Sequence, residues 1–239
     1  MSTDHSDVER RHIEAILTRV DRTLDCVGTE FPYYADPGTG TWVTTSDGDW
    51  CSGHWIGLLW LAAEYAQQPE RYEAAARRFI ATAVESMPAA SMFRGLTCNY
   101  AGFRGYDRTN DRGLQAIGLT GADQMVALYD EGARQIPLGE FDLRGPDNFR
   151  GVATEDDPSG RYIGAVDNIY TAVPILWRAY HATGETRFHD VAVSHADRHL
   201  DWYIRSDGST WHHAVFDADT GELQYQYNEL AHSDETCWA

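Results

Sequence analysis

The chain has 239 residues, of which 37 are acidic and 19 basic, and its formal net charge is −18. A surface this acidic repels phosphate backbones and anionic bilayers, which argues against a nucleic-acid or membrane-surface function. Hydrophobic residues make up 43% of the chain, enough for one large core or two small ones.

The N-terminal segment MSTDHSDVERRHIEAIL has no apolar signal core, and no run approaches the ~18–20 apolar residues of a membrane span. We therefore expect a soluble, cytoplasmic protein with no nucleic-acid or membrane partner. Cys26, Cys51, Cys98 and Cys237 form no closely spaced pair, so buried free thiols are expected rather than a metal or disulfide framework. No metal and no cofactor is predicted.

Apolar residues recur at three- and four-residue spacing and predict helices. In the first helix, Ile13, Ile16 and Leu17 share one stripe. Pro69 opens the third helix, which ends before Pro88. The predicted helices, in chain order, are 7–27, 54–67, 70–86, 113–135, 168–182 and 186–204.

Two pieces of the chain repeat one pattern. LLWLAAEYAQQPERYEAAARRF begins at Leu58, and ILWRAYHATGETRFHDVAVSHA begins at Ile175. Each reads as an apolar helix, a short turn and a second helix with regular alanines, which predicts an antiparallel helical hairpin. Such hairpins bury their faces against further hairpins. The expected fold is all-α, a solenoid or closed ring in one domain spanning 1–239.

The tail has a different pattern. Residues 209–228 contain two β-like runs around Asp-Ala-Asp-Thr-Gly, which predict a small β-hairpin. We expect this hairpin to lie over one end of the helical ring.

Trp50 precedes the second predicted helix and lies beside Asp47 and Asp49. An aromatic face next to carboxylates suits a sugar ring, whose C–H face stacks while its hydroxyls form hydrogen bonds. The alternative is a helix N-terminal staple with a capping side chain. Trp60, farther along the apolar run, is expected in the core.

Asp167 stands at the start of the predicted helix 168–182, and it has two interpretations. As an N-cap it would accept backbone N–H bonds and stay ionised, because the cap and the helix dipole both lower its pKa. In an apolar pocket its pKa would instead rise, so that it could donate a proton. Spacing alone favours the cap.

The chain resembles the unsaturated glucuronyl hydrolases, glycoside hydrolase family 88, and the related unsaturated rhamnogalacturonyl hydrolases. The resemblance rests on ordered blocks that cover most of the chain: FPYYAD at 31–36, DWCSGHWIGLLW at 49–60, Gly102-Phe103, VDNIYTAVPILW at 166–177, ETRFHDVAVSHADRHL at 185–200, SDGSTWHHAVFDADTGE at 206–222 and HSDETCWA at 232–239. It implies an (α/α)6 barrel of helical hairpins. Because the family continues beyond the last block, it also implies that the barrel is incomplete and lacks its C-terminal hairpins.

The resemblance implies a hydrolase that removes a 4,5-unsaturated uronic acid from the non-reducing end of lyase-generated oligosaccharides. A carboxylic acid protonates C4 of the enol ether, water adds at C5, and the resulting hemiketal opens. Asp167 matches the acid/base position, Trp50 a stacking tryptophan, His212 a substrate contact and Trp238 a pocket wall. The alternatives are a structural hairpin histidine for His212 and core packing for Trp238.

The match breaks at Asn99-Tyr100-Ala101-Gly102-Phe103, where the family has His-Asp-x-Gly-Phe. Tyr100 replaces the second carboxylate and supplies no charge at neutral pH. Asn99 and Tyr100 are still expected to bind substrate. Asp107 is a candidate substitute acid, with a solvated loop carboxylate as its alternative. Leu230 stands where the family has a glutamine.

Other functions stay open at this point. They are an unsaturated rhamnogalacturonyl hydrolase, a sugar epimerase using His54, His212 or His213, and an inactive carbohydrate-binding remnant. A homo-oligomer or a missing C-terminal segment could close the ring. Because the substrate is anionic, we expect Arg104, Arg108 or Arg161 near the cleft.

Overall fold

The computed structural model describes residues 4–140, 160–228 and 233–236. Helices dominate these residues, and two small sheets accompany them. The helices are α1 (Asp4–Val27), α2 (Ser52–Tyr65), α3 (Pro69–Ser86), α4 (Phe93–Cys98), α5 (Gly105–Thr109), α6 (Arg112–Leu128), α7 (Asn168–Thr183) and α8 (Thr186–Tyr203). A π-helical segment, Asn99–Arg104, joins α4 and α5 into one continuous helix.

Both predicted helical hairpins are confirmed. In the first, α2 and α3 are joined by residues 66–68, and Pro69 begins α3. In the second, α7 ends at Gly184, whose φ of 75° closes the helix in the left-handed conformation. Trp60 is only 1% exposed, as expected for a core residue.

The helix 93–109 is missing from the sequence-based prediction. Gly95, Gly102 and Gly105 lower its intrinsic helix propensity. Packing explains why it forms, because a Cβ at Gly102 would lie 2.4 Å from the backbone N of Gly118 in α6. The prediction of a helix over 113–135 was wrong at its end, since α6 stops at Leu128.

The predicted tail hairpin is confirmed, and it belongs to a three-stranded sheet. Strand β4 (His213–Phe216) pairs antiparallel with β5 (Leu223–Tyr227) on one side and with β3 (Ile163–Ala165) on the other. A second sheet, β1 (Phe31–Ala35) with β2 (Trp42–Thr45), was not predicted.

The same kind of loop connects the two strands of each β-hairpin, β1 with β2 and β4 with β5. Asp36 Oδ1 accepts hydrogen bonds from the backbone of Gly38 and Thr39. Asp217 Oδ1 does the same with Asp219 and Thr220, at 3.0 and 2.9 Å. Each loop then ends on a glycine with positive φ, the arrangement of a type I turn with a bulge.

These bonds hold the pKa of the Asp217 carboxyl below its ordinary value. Because the pKa of Asp217 is lower in the folded than in the unfolded protein, the ionised carboxylate stabilises the fold at pH values above its unfolded pKa. That stabilisation is lost as the pH falls through the folded-state pKa. We therefore expect Asp217→Ala to lower Tm at pH 7 and to differ less from the parent protein in acid. Asp219→Ala is the control, since Asp219 donates only its backbone N–H to Asp217. Equal Tm losses for the two variants would contradict the loop's role.

The expectations for the cysteines and for membrane-spanning helices can also be compared with the structure. Cys98 is buried as expected, Cys51 is half-buried, and Cys26 is exposed, so the expectation of buried thiols was wrong for Cys26. Cys237 lies outside the described residues. Within the described part of the chain, no helix combines the length and the apolar character needed to cross a bilayer.

Candidate active site

Several of the sequence-predicted site residues meet at the N-terminal ends of α2 and α7. Trp50 lies in a short 3-10 turn, Asp49–Cys51, immediately before α2. Trp50 and Tyr100 both pack on an apolar cluster that contains Ala165, two residues before Asp167. The cluster is therefore a shared floor under Trp50, Tyr100 and the segment that presents Asp167.

Aromatic rings form one wall of this site. The Trp50 ring lies 5.9 Å from the rings of both His54 and Phe93. The His54 ring lies 6.0 Å from Tyr100. Burial lowers the pKa of His54, which favours the neutral imidazole. The wall therefore offers flat faces and no fixed positive charge.

Tyr100 also joins this wall to the helix that follows Asp167. Its hydroxyl is in hydrogen-bond contact with the hydroxyl of Tyr170, in the first turn of α7. Burial and this contact raise the pKa of Tyr100 to about 12, so its phenol stays neutral. Tyr170 was not predicted as a site residue. Its position three residues after Asp167 on a predicted helix was the available signal.

The side chain of Asp167 does not cap α7, although Asp167 occupies the N-cap position. Its backbone is helical, with φ −66° and ψ −21°, whereas a capping residue normally adopts β-region angles. Only its backbone carbonyl serves the helix, accepting from the N–H groups of Tyr170 and Thr171 at 3.0 and 3.2 Å. The capping interpretation was wrong for this carboxyl.

Asn168 secures the start of α7 instead. Its Oδ1 accepts from the backbone N of Ala165 at 3.2 Å, and its Nδ2 donates to Ile136 O. These bonds tie the first residue of α7 to two other segments without using the Asp167 carboxyl. The surrounding protein partly desolvates the half-exposed Asp167 carboxyl and raises its pKa, and the charge of His213 partly opposes that rise.

His212 lies beside this carboxyl. Its Nε2 lies 3.9 Å from Asp167 Oδ2, and its side chain is 6% exposed against 50% for Asp167. The His213 ring lies 3.8 Å from the His212 ring. Pairing of β3 with β4 sets Ala165 opposite His213, which explains why these distant segments meet.

Asp107 and two of the expected arginines form ion pairs, and the Arg104 charge also reaches Tyr100, where it acts to lower the pKa of the phenol. Asp107 pairs with Arg178, which is eleven residues beyond Asp167 and therefore about 16 Å along α7. Arg104 pairs with Glu64, and Arg108 pairs with Glu73.

Four other residues were named in the sequence analysis, and the structure describes two of them, Arg161 and Asn99. Arg161 lies over the ring of its neighbour Tyr162. Asn99 adjoins Tyr100, and its buried Oδ1 has no hydrogen-bond partner among the described residues. Trp238 and Leu230 lie outside the described residues. No group of three or more metal-ligating side chains converges in the described part of the chain.

No family model matches the chain. Curated relatives do match. The chain is 27% identical over 225 residues to an unsaturated glucuronyl hydrolase of Bacillus sp., covering 91% of this chain and 54% of that protein. It is 25% identical over 232 residues to an unsaturated chondroitin disaccharide hydrolase of Streptococcus pneumoniae, covering 95% and 54%. The chain thus spans about half the length of the curated relatives it matches.

Solved structures of such enzymes share the fold. The Bacillus unsaturated glucuronyl hydrolase superposes with a TM-score of 0.78 at 23% identity, over 93% of this chain and 56% of that one. The Streptococcus agalactiae enzyme gives 0.78 at 21% identity, over 96% and 55%. The expected α/α-barrel fold is therefore confirmed. The resemblance inferred from the sequence is confirmed as well, because the relatives that the chain matches are unsaturated glucuronyl and chondroitin disaccharide hydrolases.

Proposed function

We propose that the chain carries the acid/base residue of a hydrolase. This hydrolase releases a 4,5-unsaturated uronic acid from the non-reducing end of lyase-generated oligosaccharides. The observation that carries this proposal is the Asp167 carboxyl. It makes no capping bond at a helix start, and its pKa is raised by burial. It lies 3.9 Å from His212, next to an aromatic wall. The names of the curated relatives support the same reaction.

A raised pKa suits the chemistry of an enol ether. Protonated Asp167 gives its proton to C4, and the positive charge that develops at C5 is shared with the ring oxygen. Water adds at C5 and returns one proton to the Asp167 carboxylate, so the acid is regenerated. The hemiketal formed at C5 then opens, with its hydroxyl proton passing to the ring oxygen, and leaves a ketone at C5 and a hemiacetal at C1. The hemiacetal breaks down to an aldehyde, and its hydroxyl proton leaves on the oxygen of the departing sugar. One carboxyl group therefore serves as both acid and base.

In this proposal, the remaining site residues bind the substrate. Trp50 offers a face on which the sugar ring stacks. His212, 6% exposed, contacts the substrate from the position just before β4. Tyr100 and Tyr170 supply neutral hydroxyl donors. Because the substrate carries a carboxylate and the chain a net charge of −18, neutral donors avoid adding repulsion at the site.

Exposed apolar residues on α8 bear on the completeness of the barrel. Val193, Leu200 and Ile204 are 38, 65 and 44% exposed on this helix and the residue that follows it. We propose that further barrel helices, supplied by a C-terminal segment, cover this face. Light scattering distinguishes the alternative, because closure by a second copy would double the mass in solution.

The test is loss of the ultraviolet absorbance of the conjugated double bond. The protein is mixed separately with unsaturated disaccharides from chondroitin, other glycosaminoglycan and pectin lyase digests. We expect loss of signal with a chondroitin or related glycosaminoglycan disaccharide. Loss with the pectin product alone would favour the rhamnogalacturonyl alternative. Sugar binding with no loss from any substrate would favour a carbohydrate-binding remnant, an outcome to which Tyr100 in place of a carboxylate points.

The tyrosine pair gives a separate prediction. When one hydroxyl donates to the other, one O–H of the pair is left for substrate, and half-exposed Tyr170 is placed to supply it. We expect Tyr170→Phe to raise KM about five- to thirtyfold, the loss of one hydrogen bond of 1–2 kcal/mol, with little change in kcat. Tyr225→Phe, at an exposed tyrosine of β5, is the control. An unchanged KM in Tyr170→Phe would contradict a binding role for the pair.

A further inference from the structure

A buried polar stripe on α8 lies behind the segment that presents Asp167. His195, His199 and Tyr203 recur at four-residue intervals and are 0, 6 and 0% exposed. Positions at this spacing on the buried face of a helix are ordinarily apolar. Hydrogen bonds of His195 and His199 go to backbone atoms of Ile136 and Val166 and not to the Asp167 carboxyl, so proton exchange with that carboxyl does not explain them.

Each residue of the stripe meets a backbone segment near the site. His195 Nδ1 accepts from the backbone N of Ile136 at 3.2 Å, and Ile136 O is held by Asn168. Tyr203 packs so closely under β3 that a Cβ at Gly164 would lie 2.2 Å from its hydroxyl. The stripe therefore supports the loop and strand that lead to Asp167.

His199 makes the contact nearest to the carboxyl. Its Nε2 lies 2.9 Å from the carbonyl oxygen of Val166, in the peptide that links Val166 to Asp167. The backbone N–H of Val166 donates to His212 O at 2.8 Å. The residue before Asp167 is thus held from two sides, by α8 and by the β4 segment.

The protonation of His199 follows from its surroundings. A carbonyl oxygen only accepts, so Nε2 must carry the hydrogen. Burial lowers the pKa of His199 to about 4, and the ring is therefore neutral at the pH at which a hydrolase works. His199 is a fixed neutral donor, and its ring stacks on Tyr203 at 4.2 Å.

We propose that His199 is a positioning residue whose Nε2–H bond to Val166 O keeps Asp167 in the helical conformation in which its carboxyl does not cap α7. The carboxyl then stays beside His212, 3.9 Å away. Without this bond, the peptide before Asp167 can rotate toward the β-region angles of a normal N-cap, and the free N–H groups of the first turn would attract the carboxylate. This inference rests on the proposed function only for its effect on turnover.

The groups around Asp167 define what else affects its titration. Among the described residues, His213 of β4 and His212 just before it lie on one side of Asp167, and Tyr170 lies one turn along α7. Tyr100 reaches Tyr170 from the π-helical segment. The variants below leave all four in place and both remove the titrating ring of His199, so a difference between them in the titration of Asp167 reports its conformation.

The experiment compares His199→Met with His199→Gln, two side chains of similar length of which only glutamine has an N–H. Titration of the Asp167 carboxyl is followed by carbon NMR, with its signal assigned from Asp167→Asn. We expect the methionine variant to titrate at lower pH than the parent protein, because a capping carboxylate is stabilised by backbone N–H groups and the helix dipole. Glutamine should restore the parent titration.

Turnover is the second readout. In His199→Met we expect kcat at neutral pH to fall about ten- to hundredfold with KM nearly unchanged, as for a displaced catalytic group. In the pH–activity profile of this variant, the loss of activity with rising pH should occur at lower pH than in the parent protein. Asp167 must be protonated to react, and its pKa is expected to be lower in the variant. His189→Met, at a partly exposed histidine of the same helix, is the control for loss of a histidine.

Two outcomes would overturn the proposal. One is an Asp167 titration in His199→Met that equals that of the parent protein. The other is an equal shift in the methionine and glutamine variants. If His199→Met does not fold, His199→Asn replaces it, because its shorter amide falls short of Val166 O. An absence of turnover in the parent protein would contradict the proposed function alone, since the NMR titration still decides the role of His199.

Discussion

Asp167→Asn is expected to lower kcat at least about a hundredfold, the contribution of a general acid–base group. Asparagine keeps the size and the hydrogen-bonding shape of the side chain, but it has no proton to give to C4 and cannot take one from water. The substitution should leave the fold intact, because the Asp167 side chain makes no capping bond and Asn168 holds the start of α7.

The measurement is the rate of double-bond loss at saturating substrate, with circular dichroism to check folding. Asp123→Asn is the matched control, since Asp123 is an exposed carboxylate on α6 that pairs with Arg187. The control should keep the parent rate. An Asp167→Asn protein that keeps roughly a tenth or more of the parent kcat would contradict the assignment of Asp167, because general acid–base catalysis contributes more than that.

Arg94→Met is expected to have the largest effect on stability. The Arg94 side chain is 8% exposed and donates to the carbonyl oxygens of Val84 and Met87 at the C-terminal end of α3. Its Nε also donates to Gln124 Oε1 at 2.7 Å. Arg94 therefore satisfies carbonyls that have no partner within the helix, and its charge opposes the negative end of the helix dipole.

Methionine fills much of the same space and leaves these acceptors buried without a donor. Each such group costs roughly 1–3 kcal/mol, so we expect the free energy of unfolding to fall by about 3 kcal/mol. For a chain of this size, that is a decrease in Tm of roughly 10 °C. Urea unfolding and calorimetry measure the two quantities.

Arg187→Met is the comparison, because the half-exposed Arg187 pairs with Asp123 and Glu185 at the surface. Exposed ion pairs contribute about 1 kcal/mol or less, so this variant should change little. Equal effects of the two substitutions would show that the Arg94 bonds contribute no more to stability than a surface pair.

The helices with strong apolar periodicity could be predicted from the sequence, and both hairpins followed from their repeat. The helix 93–109 could not, because its glycines argue against a helix until its partner is known. Only the close approach of Gly102 to Gly118 explains why glycine is suited there. Strands β1 and β2 are too short for a periodic pattern to be distinguished from a loop.

The site was predictable to different degrees. The resemblance named Asp167, Trp50, Tyr100 and His212. In the structure, Trp50 and Tyr100 pack on one apolar floor, and His212 lies 3.9 Å from Asp167. The sequence could not separate a capping carboxyl from a free one, because that depends on the backbone angles at residue 167.

Tyr170 and His199 needed the structure for a different reason. Their contacts join segments far apart in the chain, with 70 residues between Tyr100 and Tyr170 and 33 between Val166 and His199. The four-residue spacing of His195, His199 and Tyr203 was visible in the sequence, but periodicity does not show which face of a helix is buried.

The central claim is that the double bond itself is hydrated, and a reaction in deuterium oxide tests it most directly. Proton transfer to C4 followed by water addition at C5 predicts a released uronate that has lost its double bond and carries one deuterium at C4. Proton NMR and mass spectrometry of the product detect both changes. The spectra are recorded from the first turnovers, because a uronate freed by ordinary glycoside hydrolysis keeps its double bond only until its ring opens to an enol, which takes up deuterium at C4 as it becomes a ketone. An early product that keeps its double bond and carries no deuterium at C4 would mean ordinary glycoside hydrolysis, and it would contradict the account.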